Sequence, residues 1–217
     1  MGLIAFFTPI IIPAWGWFLF GIEWQNSLSA YYFAPDGDNF DKFSPYPCRV
    51  LFVGVLFALG SFLFMYKGFS WWENKFLNFA GAFAVGVALF PMFPQPGYFP
   101  FFDGLHLHYT FALLLFACMA CTVIFCYRST LRWIADKNVR ARYRSTYRVI
   151  AGLMVFFPLV AVVLAELSGG LQRYIFWAEL AGIWTFAAYW FTKSLELSNS
   201  EGELKLLLAT LTPSLQR

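Results

Sequence analysis

Apolar residues run through this chain in six long blocks, with short polar stretches between them. None of the blocks alternates with period two, and each is about twice the length of a barrel strand, so the pattern predicts helices. A helix needs about 20 mostly apolar residues to cross the ~30 Å of hydrocarbon in a bilayer. The blocks lie at about Leu3–Gly21, Val50–Tyr66, Phe76–Phe93, Leu105–Tyr127, Val149–Glu166 and Tyr174–Thr192. Pro9 and Pro13 are expected to kink the first. No basic stretch precedes that block and no small-x-small site follows it, so it predicts a retained span. Phe6 breaks the myristoylation pattern that Gly2 would begin. The fold expected is an all-α, six-transmembrane-helix bundle over residues 1–197. A cytoplasmic tail, 198–217, follows. In it Ser200-x-x-Glu203 reads as a capping box, and Leu204, Leu207, Leu208 and Leu211 give a short amphipathic helix that Pro213 ends.

Composition removes the soluble alternative. Hydrophobic residues make up 60% and charged residues 12%, against roughly 45–50% and ~25% in soluble domains. Mean hydropathy is +0.62. Such a chain lacks the polar surface to cover a soluble fold, and it is too apolar for disorder. A net charge of +3 does not suggest a nucleic-acid partner.

Charge placement orients the bundle. Arg128, Arg132, Lys137, Arg140, Arg142, Arg144 and Arg148 crowd the loop after the fourth block. With that loop in the cytoplasm, both termini are cytoplasmic too. Lys67, Lys75, Lys193, Lys205 and Arg217 then also fall inside, leaving Lys42, Arg49 and Arg173 outside. Glu23, Asp36, Asp38, Asp41, Asp103 and Glu166 gather on the outer side. The arginine loop is expected to set topology and to meet anionic headgroups.

Lipid gives helices no hydrophobic drive to associate, so small residues must let backbones approach. Ala80, Ala84 and Ala88, with Gly81 and Gly86, form such a stripe on the third block; Gly54 and Ala58 offer one on the second. These two blocks are expected to pack as a hairpin through Gly68–Lys75, with Trp71 and Trp72 as interfacial anchors.

Ionisable residues inside a span are costly and usually face the bundle interior. His108 lies about one turn inside the outer end of the fourth block, and Glu179 about five residues inside that of the sixth. At ~1.5 Å per residue both sit roughly 5–8 Å below the outer surface, which allows them to meet. His106 points away from His108 on a regular helix, and two histidines fall short of the three protein ligands a zinc site wants, so no metal is expected. Cys118-x-x-Cys121 and Cys126 read as small packing residues: no outer cysteine pair could exchange with them. The Asp36–Asp41 acidic run lacks the later glutamate of a calcium loop and reads as a turn. The outer segment Trp24–Tyr32 is rich in hydrogen-bonding groups.

Several motifs resemble those of a widespread group of uncharacterised six-span bacterial inner-membrane proteins. They are Ser27-Leu28-Ser29-Ala30-Tyr31-Tyr32, Val53-Gly54-Val55-Leu56 through Tyr66-Lys67-Gly68, and Asn78 with Ala80-Gly81. Gly86–Pro91, His108 with Thr110-Phe111-Ala112, and Phe176-Trp177-x-Glu179 with Trp184, Trp190 and Lys193 continue the match. The likeness spans about residues 25–193. Phe33 stands where the group often has His, and Arg49-Val50 where it has Arg-Asp. The resemblance implies the topology, a bacterial inner membrane and the position of a site; it brings no reaction and no cofactor. The seven-span ceramidase-like hydrolases do not fit, because the third zinc histidine and the seventh span are missing.

Together these features predict an outward-facing polar pocket lined by Ser29, Tyr31, Tyr32, His108 and Glu179 that binds a small molecule or a lipid headgroup. Two alternatives stand beside it. One is a non-catalytic accessory subunit, partnered by another membrane protein or a second copy of the chain. The other is a membrane-embedded hydrolase or transferase with His108 as general base. Transport is disfavoured by the lack of an inverted repeat.

Overall fold

The computed structural model describes residues 1–35, 46–91, 107–131, 134, 136–168 and 172–199. The acidic run 36–45, His106 and the tail from Ser200 lie outside these residues. All regular structure among the described residues is helical. The helices are α1 (Gly2–Phe20), α2 (Cys48–Met65), α3 (Trp71–Leu89), α4 (Leu107–Cys126), the single turn α5 (Arg128–Leu131), α6 (Lys137–Ser168) and α7 (Gln172–Asn199). A short 3-10 turn, Ser29–Tyr32, follows α1. By length and apolarity α1, α2 and α4 are able to cross a membrane. The other long helices, α3, α6 and α7, have 19, 32 and 28 residues and cover the third, fifth and sixth apolar blocks.

The six long helices run in alternating directions. Gly2 at the start of α1 packs on Trp190 and Phe191 near the end of α7, while Gly16 near the end of α1 meets Cys48 at the start of α2. Tyr66, just after α2, stacks edge-on against Trp190. Phe90, just after α3, meets His108 at the start of α4. Tyr147 in the first half of α6 meets Glu196 near the end of α7. The bundle thus has two ends: a basic end, carrying Arg128, Arg140, Arg142, Arg144, Arg148 and the start of α1, and a turn end, carrying Ser29–Tyr32. Each helix packs on its neighbours in chain order, and α1 closes the ring against α7.

Local chemistry sets the boundaries. Gly21 ends α1 in the left-handed region at φ 60°. Its N–H reaches Trp17 O and that of Ile22 reaches Gly16 O, a pair of bonds that satisfies two of the orphaned last carbonyls. Ser70 caps α3 by accepting from Glu73 N at 3.1 Å.

α2 and α3 do form a close hairpin. Ala80, Ala84 and Ala88 are buried. A Cβ added at Gly81 would lie 2.6 Å from Gly60 O, so the two backbones touch at a Gly–Gly crossing. Two details differ from the sequence expectation. Gly54 has nothing near it, and its place at the crossing is taken by Gly60. Gly86 faces the Phe111 ring of α4 instead of α2. Trp71 and Trp72 are exposed.

Two apolar clusters fill the ring. Leu63, Leu77, Met119, Val123, Tyr147 and Phe186 belong to the basic half. Ile12, Leu28, Tyr31, Phe52, Val87 and Phe176 belong to the turn half. A void lies between them.

Candidate functional site

The turn after α1 is built to meet α7. Ser27 Oγ accepts from Ala30 N at 3.0 Å, which holds the 3-10 turn closed. Phe176 N donates to Asn26 O at 2.9 Å and docks the segment on α7. The Leu28 N–H, unused by the turn, then donates to Glu179 Oε2 at 2.7 Å. Ser29 Oγ faces Glu179 Oε1 at a longer 3.5 Å. A charge-assisted bond of the first kind is worth about 1.5–3 kcal/mol. The sequence expectation placed Ser29 and Glu179 in one site, and the structure brings them together.

The other expected residues are engaged with other partners. Tyr31 is buried behind the turn, and its hydroxyl accepts from Gln25 N at 3.4 Å. Burial pushes its phenol above the ordinary tyrosine range. Tyr32 packs against Arg49, whose guanidinium carbon lies 4.6 Å from the ring centroid. The same guanidinium sits 4.4 Å from the Tyr46 ring. His108 is buried, and its Nδ1 lies 2.8 Å from Phe90 O. A ring nitrogen facing a carbonyl must carry the hydrogen, so His108 satisfies the frayed C-terminal end of α3. The expected five-residue polar pocket is therefore divided. His108 is used at a helix end, Tyr32 holds an arginine, and Tyr31 is a wall of the core.

Behind Glu179 and Ser29 the void runs inward as a cavity of about 90 Å³. Thr8, Ile12 and Leu28 line it from the α1 side, Phe52 through Leu63 from α2, Ala112 through Met119 from α4, and Ile183 and Phe186 from α7. Among the described lining residues only Thr8, Ser29 and Glu179 are polar. A pocket expected to be polar is thus an apolar chamber with one carboxylate at its turn end. A second, shallower hollow of about 550 Å³ lies between α1 and α7, beside Pro9, Pro13, Trp17 and Trp184. Aliphatic and proline side chains line it together with aromatic ones, Trp17, Trp24 and Trp177 among them. Trp184 Nε1 donates to Phe6 O at 3.0 Å and ties the two helices together at one side of it.

The basic end holds a polar cluster that the sequence reading did not single out. Glu73, Lys193 and Glu196 are all buried. Glu73 Oε1 takes Lys193 Nζ at 3.4 Å and the Tyr189 hydroxyl at 3.2 Å. Its Oε2 accepts from Phe69 N at 2.9 Å and Ser129 Oγ at 3.2 Å. Tyr147 donates to Glu196 Oε2 at 2.5 Å. Among the described residues Glu196 Oε1 has no hydrogen-bond partner. One signal for Glu73 was present in the sequence: Ser70-x-x-Glu73 has capping-box spacing. At the rim of this end Arg128 Nε donates to the Tyr127 hydroxyl at 3.2 Å.

Among the described residues no group of three or more His, Cys, Asp or Glu gathers as metal ligands. Cys118 and Cys121 are free and partly buried, and Cys48 and Cys126 are free and buried. No protein family, curated protein or solved structure matches the chain.

Proposed function

We propose that this chain is a six-span protein of a bacterial inner membrane, with both termini in the cytoplasm, that binds a small molecule in the cavity behind Glu179. The resemblance to the six-span bacterial group and the basic loop between α4 and α6 support the placement. In that orientation the turn end faces the periplasm and membrane lipids cover the exposed aromatic surface. One observation carries the binding reading. A carboxylate is held by Leu28 and Ser29 at the turn end of an apolar chamber. Ionisable groups at this depth are costly, and their presence marks ligand or ion sites more often than packing. Close-packed interiors leave few voids larger than a water, so a chamber beside a carboxylate is a binding feature.

Native mass spectrometry from mild detergent tests this against Ala112→Phe, which fills the chamber from α4. The wild-type chain is expected to carry a small non-covalent adduct that Ala112→Phe lacks, with both proteins folded by circular dichroism. Equal adducts on the two, or none on either after ligand screening, would overturn the reading.

A further inference from the structure

We infer that the chamber takes a protonated primary amine on a short aliphatic chain, an inference that rests on the binding reading above. It follows from where the hydrogens are. Each of the three described polar side chains in the lining has its hydrogen committed or has none to give. The Thr8 hydroxyl donates to Ile4 O at 2.6 Å, within its own helix. The Ser29 hydroxyl is aimed at Glu179 Oε1, and the neighbouring Leu28 N–H is spent on Oε2. Glu179 receives both and, as a carboxylate, has no hydrogen of its own. With Glu179 ionised, the described lining residues offer a ligand lone pairs only. A carboxylate has about four acceptor positions and these two donors fill two, so Glu179 has room for further donors on the chamber side.

Charge narrows the class. The two donors that reach Glu179 are neutral, and no Lys, Arg or His is among the described lining residues. A carboxylate in apolar surroundings without a cation is costly, and an ammonium brought beside it removes that cost. One proton serves the pair: an amine arriving neutral takes it from a protonated Glu179, and an ammonium arriving charged meets the ionised form. A carboxylic acid, a phosphate or another anion finds like charge and no donor. Size narrows it again. At about 90 Å³ the cavity exceeds several-fold the ~10–15 Å³ that a single water requires. That accommodates a head atom and a few methylenes, with Phe52, Leu56 and Phe186 as the walls.

The test is ligand-induced thermal stabilisation of the full chain in detergent, with n-butylammonium, n-butanol and butyrate at matched ionic strength. Butylammonium is expected to bind and stabilise, butanol to bind at least tenfold more weakly, and butyrate not to bind. Glu179→Gln keeps the shape and an acceptor for Leu28 N, and is expected to weaken butylammonium about tenfold or more and so to narrow its lead over butanol. Butanol equal to butylammonium, or butyrate binding as well, would overturn the amine inference and leave the chamber reading standing. No binding by any of the three, with Ala112→Phe melting like wild type in their presence, would overturn both. The wild-type ligand series decides the matter even if the variant fails to fold.

Discussion

The two ends of the bundle each bury a glutamate, and they treat it in opposite ways. At the basic end Glu73 is fully enclosed and takes four partners, one of them the Lys193 ammonium, contributed from α7, α5 and the residue before its own cap. At the turn end Glu179 is half-buried, has two neutral donors, and faces the apolar chamber. A buried charge that the fold itself neutralises has no unused capacity, so its work is to pin helices together. A buried charge left short of a cation has capacity to spare, and that is what a ligand needs. Pairing, more than depth, separates the two roles.

The comparison is broken most severely at the closed end. Lys193→Met leaves Glu73 buried without its cation and is expected to destabilise the chain by about 3–5 kcal/mol. Chemical denaturation in mixed micelles measures this. Adding Glu73→Gln to Lys193→Met is expected to recover much of that loss, and a double variant no better than Lys193→Met would show that the pair is not the lock. Next in size, Gly81→Ala drives a Cβ against Gly60 O and is expected to cost about 1–3 kcal/mol by the same assay. Tyr147→Phe removes the described hydrogen bond to Glu196 and should cost about 1–3 kcal/mol. A loss below 0.5 kcal/mol, on the order of what an exposed site gives, would mean that the contact is idle. At the turn end Glu179→Gln in the absence of ligand is expected to change stability by about 1 kcal/mol or less, because the amide oxygen still accepts from Leu28 N. A collapse there as large as that of Lys193→Met would erase the contrast between the ends. Smallest is Lys75→Ala: Lys75 is exposed, with its ammonium 5.5 Å from the Trp71 ring, and its loss should register at about 0.5 kcal/mol.

Much of this architecture could be read from the chain alone, because an apolar block long enough to span a bilayer leaves helix as its only open structure. Glu179 stood out for the same reason: an acid in such a block is conspicuous. His108 stood out equally, yet its Nδ1 goes to the end of α3, and nothing in a linear pattern shows that Phe90 O would be waiting there. Glu73 and Glu196 escaped notice because they lie near helix ends, where charged residues ordinarily reach water. Lys193 was counted as one more inside charge for the same reason. Only the meeting of α3, α5, α6 and α7 at the basic end makes a core of them. The glycine crossing was half legible: Gly81 belongs to a visible stripe, whereas choosing Gly60 over Gly54 requires the rotation of α2 about its axis, which a uniformly apolar helix does not reveal.

The Leu28–Glu179 hydrogen bond joins residues 151 positions apart, and the ring closes only when α7 lies against α1. In the proposed six-span arrangement the first helix would therefore stand in the bilayer beside transient lipid neighbours until the last one is inserted. The chamber, lined in part by Glu179, Ile183 and Phe186 of α7, is incomplete until that helix is made. On the binding reading proposed above, occupancy of the chamber would report completed assembly, and a ligand present in the membrane would stabilise the finished ring without holding back its unfinished precursors.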